Sequence, residues 1–160
     1  MFIVKKKSTL KLIFLISIFA LFSAYFIQYV LNHQPCNLCL IERIPYFSAA
    51  ILIPITLVLN KYEKLISVII ALFFIFGSLV SFYHVGIEQG FFSESLVCDL
   101  GSSLNTMSTN ELLKELERKT VSCKDITFKL LGFSLATFNT ILSLLLSAIL
   151  IKNINSYEKN

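Results

Sequence analysis

The stretch LISVIIALFFIFGSLVSFYHV, residues 65–85, contains no Asp, Glu, Lys or Arg. About 20 apolar residues in a row span the hydrocarbon of a bilayer as one helix. Lipid admits only helices and closed barrels, and a continuous apolar run lacks the alternation of a barrel strand. Three other apolar runs are long enough to span, at residues 12–31, 40–59 and 130–151, that at 40–59 carrying Glu42 and Arg43 near its start and Pro45 and Pro54 inside it. Residues 60–64 form a short turn, so the second and third runs make an antiparallel hairpin. The predicted fold is all-α: an integral membrane four-helix bundle, one domain over residues 1–160, with a long outer loop at 86–129. Composition agrees, because 56% of the 160 residues are hydrophobic and 15% charged, a balance that a soluble fold of this size cannot hide. The net charge of +4 comes without a basic stripe interleaved with aromatics, so no nucleic-acid partner is expected.

The first run follows Lys5, Lys6, Lys7 and Lys11, which is also how a signal peptide begins. It exceeds an ordinary signal-peptide core, and Asn32-His33-Gln34-Pro35 offers no small-residue cleavage site, so the helix is expected to stay in the mature protein. Lys and Arg near short ends set orientation. Lys5, Lys6, Lys7, Lys11, Lys61, Lys64, Lys152 and Lys159, against Glu63 and Glu158, put both termini and the 60–64 turn on the cytoplasmic side. Residues 32–39 and the 86–129 loop are then translocated. Within the loop, Leu112, Leu113 and Leu116 recur at helical spacing, and Ser108 with Glu111 forms a capping-box pair. The short amphipathic helix so predicted either closes the loop against the bundle or lies in the headgroup layer.

All four cysteines thus fall outside the cytoplasm, where disulfides form and persist. Cys98 and Cys123 bracket the polar loop at a spacing that suits a loop-closing bridge. Cys36-Asn37-Leu38-Cys39 is a different kind of pair. A bridge between residues three apart closes almost no loop and adds little entropic stabilisation, so it makes better sense as a redox couple. Pro35 suits a first helical turn and Leu40 begins an apolar run, which seats the couple at a helix N-terminus, where N–H groups and the macrodipole favour a thiolate. Arg43 follows Cys39 by one turn on the same face. Charges near helix ends usually pair with a neighbour, here Glu42, or reach the headgroups. Beside two cysteines, Arg43 is expected instead to stabilise Cys39 as thiolate and to hold an oxygen of an electron acceptor. Glu42 is expected to position the helix cap or Arg43. Pro45 and Pro54 free backbone carbonyls, which membrane helices tolerate.

His84 closes the third run at the level of Arg43. It is either an interfacial polar group or a proton partner of an acceptor held between the second and third helices. His33 is given no role. A c-type haem is ruled out because Leu40, not His, follows Cys39. Zinc would need Cys36, Cys39, Cys98 and Cys123 to converge, and no second tight pair supports that, so no metal is expected.

The string Cys36-Asn37-Leu38-Cys39-Leu40-Ile41-Glu42-Arg43 at a helix start, the four helices, and a second outer loop holding Cys98 and Cys123 together resemble the bacterial disulfide bond formation protein B (DsbB) family. Tyr83-His84-Val85-Gly86-Ile87-Glu88-Gln89-Gly90 is similar to one branch of it. The resemblance implies a multi-pass protein of the bacterial inner membrane that reoxidises a periplasmic thioredoxin-like thiol oxidase and reduces ubiquinone or menaquinone. It implies that Cys98 forms the mixed disulfide with the partner, that Cys123 resolves it or attacks Cys36, and that Cys39 hands electrons to the quinone. Arg43 matches a quinone-contacting arginine, whereas His84 falls only near a family histidine. Two other readings stay open: a thiol oxidase dedicated to one client, and a structural membrane subunit whose disulfides brace its outer loops.

Overall fold

The computed structural model describes residues 2–58, 62–93, 123–124, 129–130 and 133–158. The loop helix expected near 111–118, its capping pair Ser108 and Glu111, and Cys98 lie outside these residues. Helices α1 (Phe2–Tyr29), α2 (Asn37–Ile41), α3 (Ile44–Val58), α4 (Glu63–Glu88) and α5 (Leu135–Glu158) make up the bundle. Strands β1 (Lys129–Leu130) and β2 (Phe133–Ser134) pair antiparallel just before α5. Among the described residues, four segments are long and apolar enough to cross a membrane: Lys7–Tyr29, Asn37–Val58, Glu63–Glu88 and Leu135–Asn155.

The elements depart from the apolar runs at informative places. The second span is broken at Glu42 and Arg43, which separate α2 from α3. Pro45 is the cause, because it has no N–H for the Ile41 carbonyl and its ring crowds that oxygen. The Arg43 N–H turns instead to the Leu40 carbonyl at 3.2 Å, and the ladder resumes with Phe47 N–H to Arg43 O at 3.1 Å. The fourth helix begins at Leu135, not at residue 130, because Ser134 caps it, its Oγ accepting the Thr137 N–H at 3.3 Å. At the end of α4, Gly90 takes φ +78°. Its N–H reaches the Ile87 carbonyl at 3.0 Å and that of Phe91 reaches the Gly86 carbonyl at 2.8 Å, the pattern of a Schellman stop that a residue with a Cβ resists.

Polarity runs inside out. Leu15, Phe19, Phe22, Leu72, Leu79, Phe82 and Leu144 are more than half exposed, while Ser17, Thr56, Ser67, Ser81, Ser143 and Ser147 are buried. Several buried hydroxyls bond within their own helix, Ser17 Oγ to Ile13 O and Thr56 Oγ1 to Leu52 O, each at 2.8 Å. A greasy exterior around small, polar contacts is the packing of helices in lipid, where association relies on close approach and internal hydrogen bonds. Ile13, Ala49, Ile53, Ile70, Phe74 and Leu146 form the apolar centre. Helix α4 packs on α5 and α3, and α1 packs on α3, but α1 barely meets α5. The bundle is therefore parted along the α1/α5 seam. Cys36, the end of α4 and the β hairpin sit at one end, and the helix ends bearing Lys7, Lys11, Lys64 and Lys152 at the other.

Candidate functional site

Cys36 stands just outside α2 as its N-cap, with φ −74° and ψ 170°, and its Sγ accepts the backbone N–H of Cys39 at 3.3 Å. Pro35 therefore precedes the cap and does not open the helix. Both thiols are free, and their sulfurs lie 3.0 Å apart. The thiolate-stabilising contacts expected for Cys39 fall on Cys36, since only a residue outside the first turn can turn its side chain back onto the free N–H groups. The hydrogen bond from the Cys39 thiol is the largest influence on Cys36; burial opposes it, and His84 adds to it. The balance brings the Cys36 thiol down to about 4.

His84 connects this pair to the rest of the bundle. Its Nε2 is 3.6 Å from Cys36 Sγ and its Nδ1 is 2.7 Å from Glu42 Oε1. The other Glu42 oxygen accepts from Asn139 Nδ2 at 3.0 Å, and the same nitrogen donates to Ser81 Oγ at 2.8 Å. The Tyr46 hydroxyl donates to Asn139 Oδ1. A chain of polar contacts thus runs Cys36, His84, Glu42, Asn139, Tyr46, through parts of α3, α4 and α5 and the turn before α3. A thiol next to an imidazole whose far nitrogen is held by a carboxylate is an arrangement for moving a proton on and off sulfur.

Arg43 neither pairs with Glu42 nor follows Cys39 on a regular turn. Its Nη1 donates to Gln28 Oε1 at 2.7 Å, and its guanidinium carbon sits 5.0 Å from the centre of the Tyr25 ring. The break forced by Pro45 sends adjacent side chains to different helices, Glu42 toward α4 and α5 and Arg43 toward α1. Between α1 and α5 opens a cavity of about 620 Å³, walled by apolar residues such as Ala20, Ile27, Phe138 and Leu142, with Cys36, Cys39, Arg43 and His84 also on its lining. An acceptor space was expected between the second and third helices. Those helices instead pack closely: a Cβ on Gly77 would come within 2.6 Å of Pro45 Cγ. The room lies on the opposite side.

Cys123 is buried, is part of a disulfide, and belongs to the same apolar cluster as Cys36, Leu38 and Ile87. Cys123 is thereby placed in the same buried cluster as Cys36. His33 lines the cavity without an assigned role. The sequence reading missed Asn139 altogether and gave Glu42 no part in chemistry. The available signal was their cost in lipid, since an amide or carboxylate within a span implies a buried partner.

Residues 6–152 match the family model described as Disulfide bond formation protein DsbB. A curated relative, the uncharacterized protein RP370 of Rickettsia prowazekii (strain Madrid E), is 27% identical over 133 residues, covering 82% of this chain and 77% of that protein. No solved structure matches. A match reaching from the first helix to the last, over a membrane bundle with a thiol pair at a helix start, leads to one conclusion: the chain belongs to the DsbB family, membrane disulfide oxidoreductases of disulfide bond formation.

Proposed function

We propose that this protein is a thiol oxidase of the bacterial inner membrane that reoxidises a periplasmic thioredoxin-like thiol oxidase and delivers the electrons to ubiquinone or menaquinone. The observation that carries the proposal is the Cys36–Cys39 pair on the lining of an apolar cavity at the parted α1/α5 seam. A quinone with an isoprenoid tail needs an apolar slot with a few polar groups for its ring oxygens. Ala20, Ile27, Phe138 and Leu142 fit the first need, and Arg43 and His84 the second. Bound there, a quinone supplies a two-electron, two-proton sink beside the dithiol.

The protein's own residues do the rest. A partner thiolate attacks Cys98 of a Cys98–Cys123 disulfide, and the partner's second thiol releases it, leaving the partner oxidised and both loop thiols reduced. Cys123, in the same cluster as Cys36, attacks Cys36 of the inner disulfide and expels Cys39. Cys98 then closes on Cys123, so the loop disulfide re-forms and two electrons rest on Cys36 and Cys39. His84 takes and returns the Cys36 proton, with Glu42 fixing the ring through Nδ1. The Arg43 guanidinium, braced by Gln28 and Tyr25, supplies a fixed positive charge on the cavity wall.

Purified protein should reduce a soluble quinone at the expense of a dithiol partner, and Cys39→Ser should abolish this. Undiminished turnover in Cys39→Ser would refute the relay.

A further inference from the structure

Cys36 Sγ, Cys39 Sγ and a ring nitrogen of His84 all lie within 4.8 Å of one another. Two thiols and an imidazole at that spacing form a soft ligand set. A fourth donor adjoins the imidazole, just outside that 4.8 Å set. Glu88 lies one turn beyond His84 on α4; its side chain is 6% exposed, its Oε1 is 3.8 Å from His84 Nε2, and its Oε2 has no hydrogen-bond partner. All four residues line the same cavity. We propose that the reduced Cys36–Cys39 pair, with His84 and Glu88, binds a zinc ion, and that the ion holds the couple in its dithiol form and so arrests the protein.

The geometry is close to what zinc requires. Tetrahedral coordination at ordinary Zn–S and Zn–N lengths puts sulfur and nitrogen about 3.5 Å apart and the two sulfurs about 3.8 Å apart. Cys36 Sγ and His84 Nε2 already stand at 3.6 Å, and the sulfurs must part from 3.0 Å, a small χ1 adjustment at a cap and in the first turn. Glu42 on Nδ1 provides the carboxylate that typically orients a metal-binding imidazole, leaving Nε2 for the ion. Binding forms two Zn–S bonds and displaces the Cys39 thiol proton together with any proton held between Cys36 Sγ and His84 Nε2, with no electron transferred. A disulfide has no thiolate to offer, so the ion and the oxidised couple exclude each other. The arrest rests on the relay proposed above, whereas the binding needs nothing from the electron acceptor and is tested apart from it.

Full-length protein in detergent, reduced with a phosphine that is then removed, would be titrated anaerobically with cobalt(II). The titration is repeated in a Cys98→Ser/Cys123→Ser chain, which keeps only the inner pair. The expected result in both is the intense visible spectrum of tetrahedral cobalt with a thiolate charge-transfer band, saturating at one ion per chain and bleached by equimolar zinc. Oxidised protein should give neither band. Cys36→Ser should lose the charge-transfer intensity of one sulfur, and Glu42→Gln, which leaves all four ligands in place, should weaken binding by about 10- to 100-fold. Glu88→Gln should weaken it as well, with an unchanged melting temperature showing that the fold is intact. The proposal is overturned if the tetrahedral spectrum appears in oxidised protein, survives Cys36→Ser in full, vanishes in the Cys98→Ser/Cys123→Ser chain, or is replaced by the pale spectrum of octahedral cobalt.

Discussion

Cys36 and Cys39 share a short contact, yet only Cys36 collects the helix-end N–H, the neighbouring thiol and the imidazole. Its thiol is brought down to about 4, so the reactive anion persists as pH falls through the range where an ordinary cysteine, near pKa 8.5, becomes protonated. In reduced protein the alkylation rate of Cys36 should therefore stay flat from about pH 8 down to about pH 5, where an unperturbed thiol loses about tenfold per unit. His84→Gln removes one of the stabilising donors and should move the midpoint of that profile upward. A profile with its midpoint near 8.5 in the parent would count against the assignment of Cys36 as the anionic partner. Arg43 acts through its planar fork on Gln28 and its stacking on Tyr25, and lysine reproduces neither. Arg43→Lys should raise KM for a soluble quinone by about tenfold or more with a smaller change in kcat, read from steady-state kinetics.

At the level of elements, two contacts decide where the site opens. Pro45 breaks the second span and rests against Gly77 of α4, where an added Cβ would lie 2.6 Å from its Cγ. Gly77→Ala should destabilise the bundle by about 1–3 kcal/mol through overpacking, seen as a lower melting temperature in detergent. Asn139 is the second contact, joining α5 to Glu42, Ser81 and Tyr46. Asn139→Ala leaves buried polar atoms short of partners and should cost about 1–3 kcal/mol. Because Glu42 then loses a donor while it still holds His84, the same variant should shift the Cys36 alkylation profile, an effect a purely structural role would not produce. Pro45 was visible in the sequence as a point of disruption. That it sends Glu42 and Arg43 to different helices was not, because the outcome depends on which neighbours stand ready to bond each side chain.

At the scale of the whole molecule, the described helices expose large apolar side chains and bury several hydroxyls beside an apolar centre, and the lysine-bearing helix ends lie opposite the cysteine end. If lysines mark the cytoplasmic side, an impermeant maleimide on intact cells should label a Gln89→Cys variant, in a chain whose native cysteines are serine. A Lys152→Cys variant should stay unlabelled until the membrane is opened. The reverse pattern would sink the orientation and the periplasmic relay with it. The parted α1/α5 seam belongs to this scale as well. It exists because α4 takes close contacts from α3 and α5 at once, while α1 is held chiefly by α3.

The amino-acid sequence by itself determined the four spans, since a run of apolar residues of bilayer length has no other stable state in lipid, and the backbone must satisfy its own hydrogen bonds there. It determined the thiol pair at a helix start, since both signals are local. Only the tertiary structure decided that Cys36, His84, Glu42 and Asn139 meet, that Arg43 faces α1, and that the cavity lies between the first helix and the last. Those residues come from segments far apart in the chain, and helices that are apolar on every face carry no stripe to say which side turns inward. Their rotation is set by small-residue contacts such as Gly77 on Pro45 and by buried polar partners, which exist only once the helices are packed.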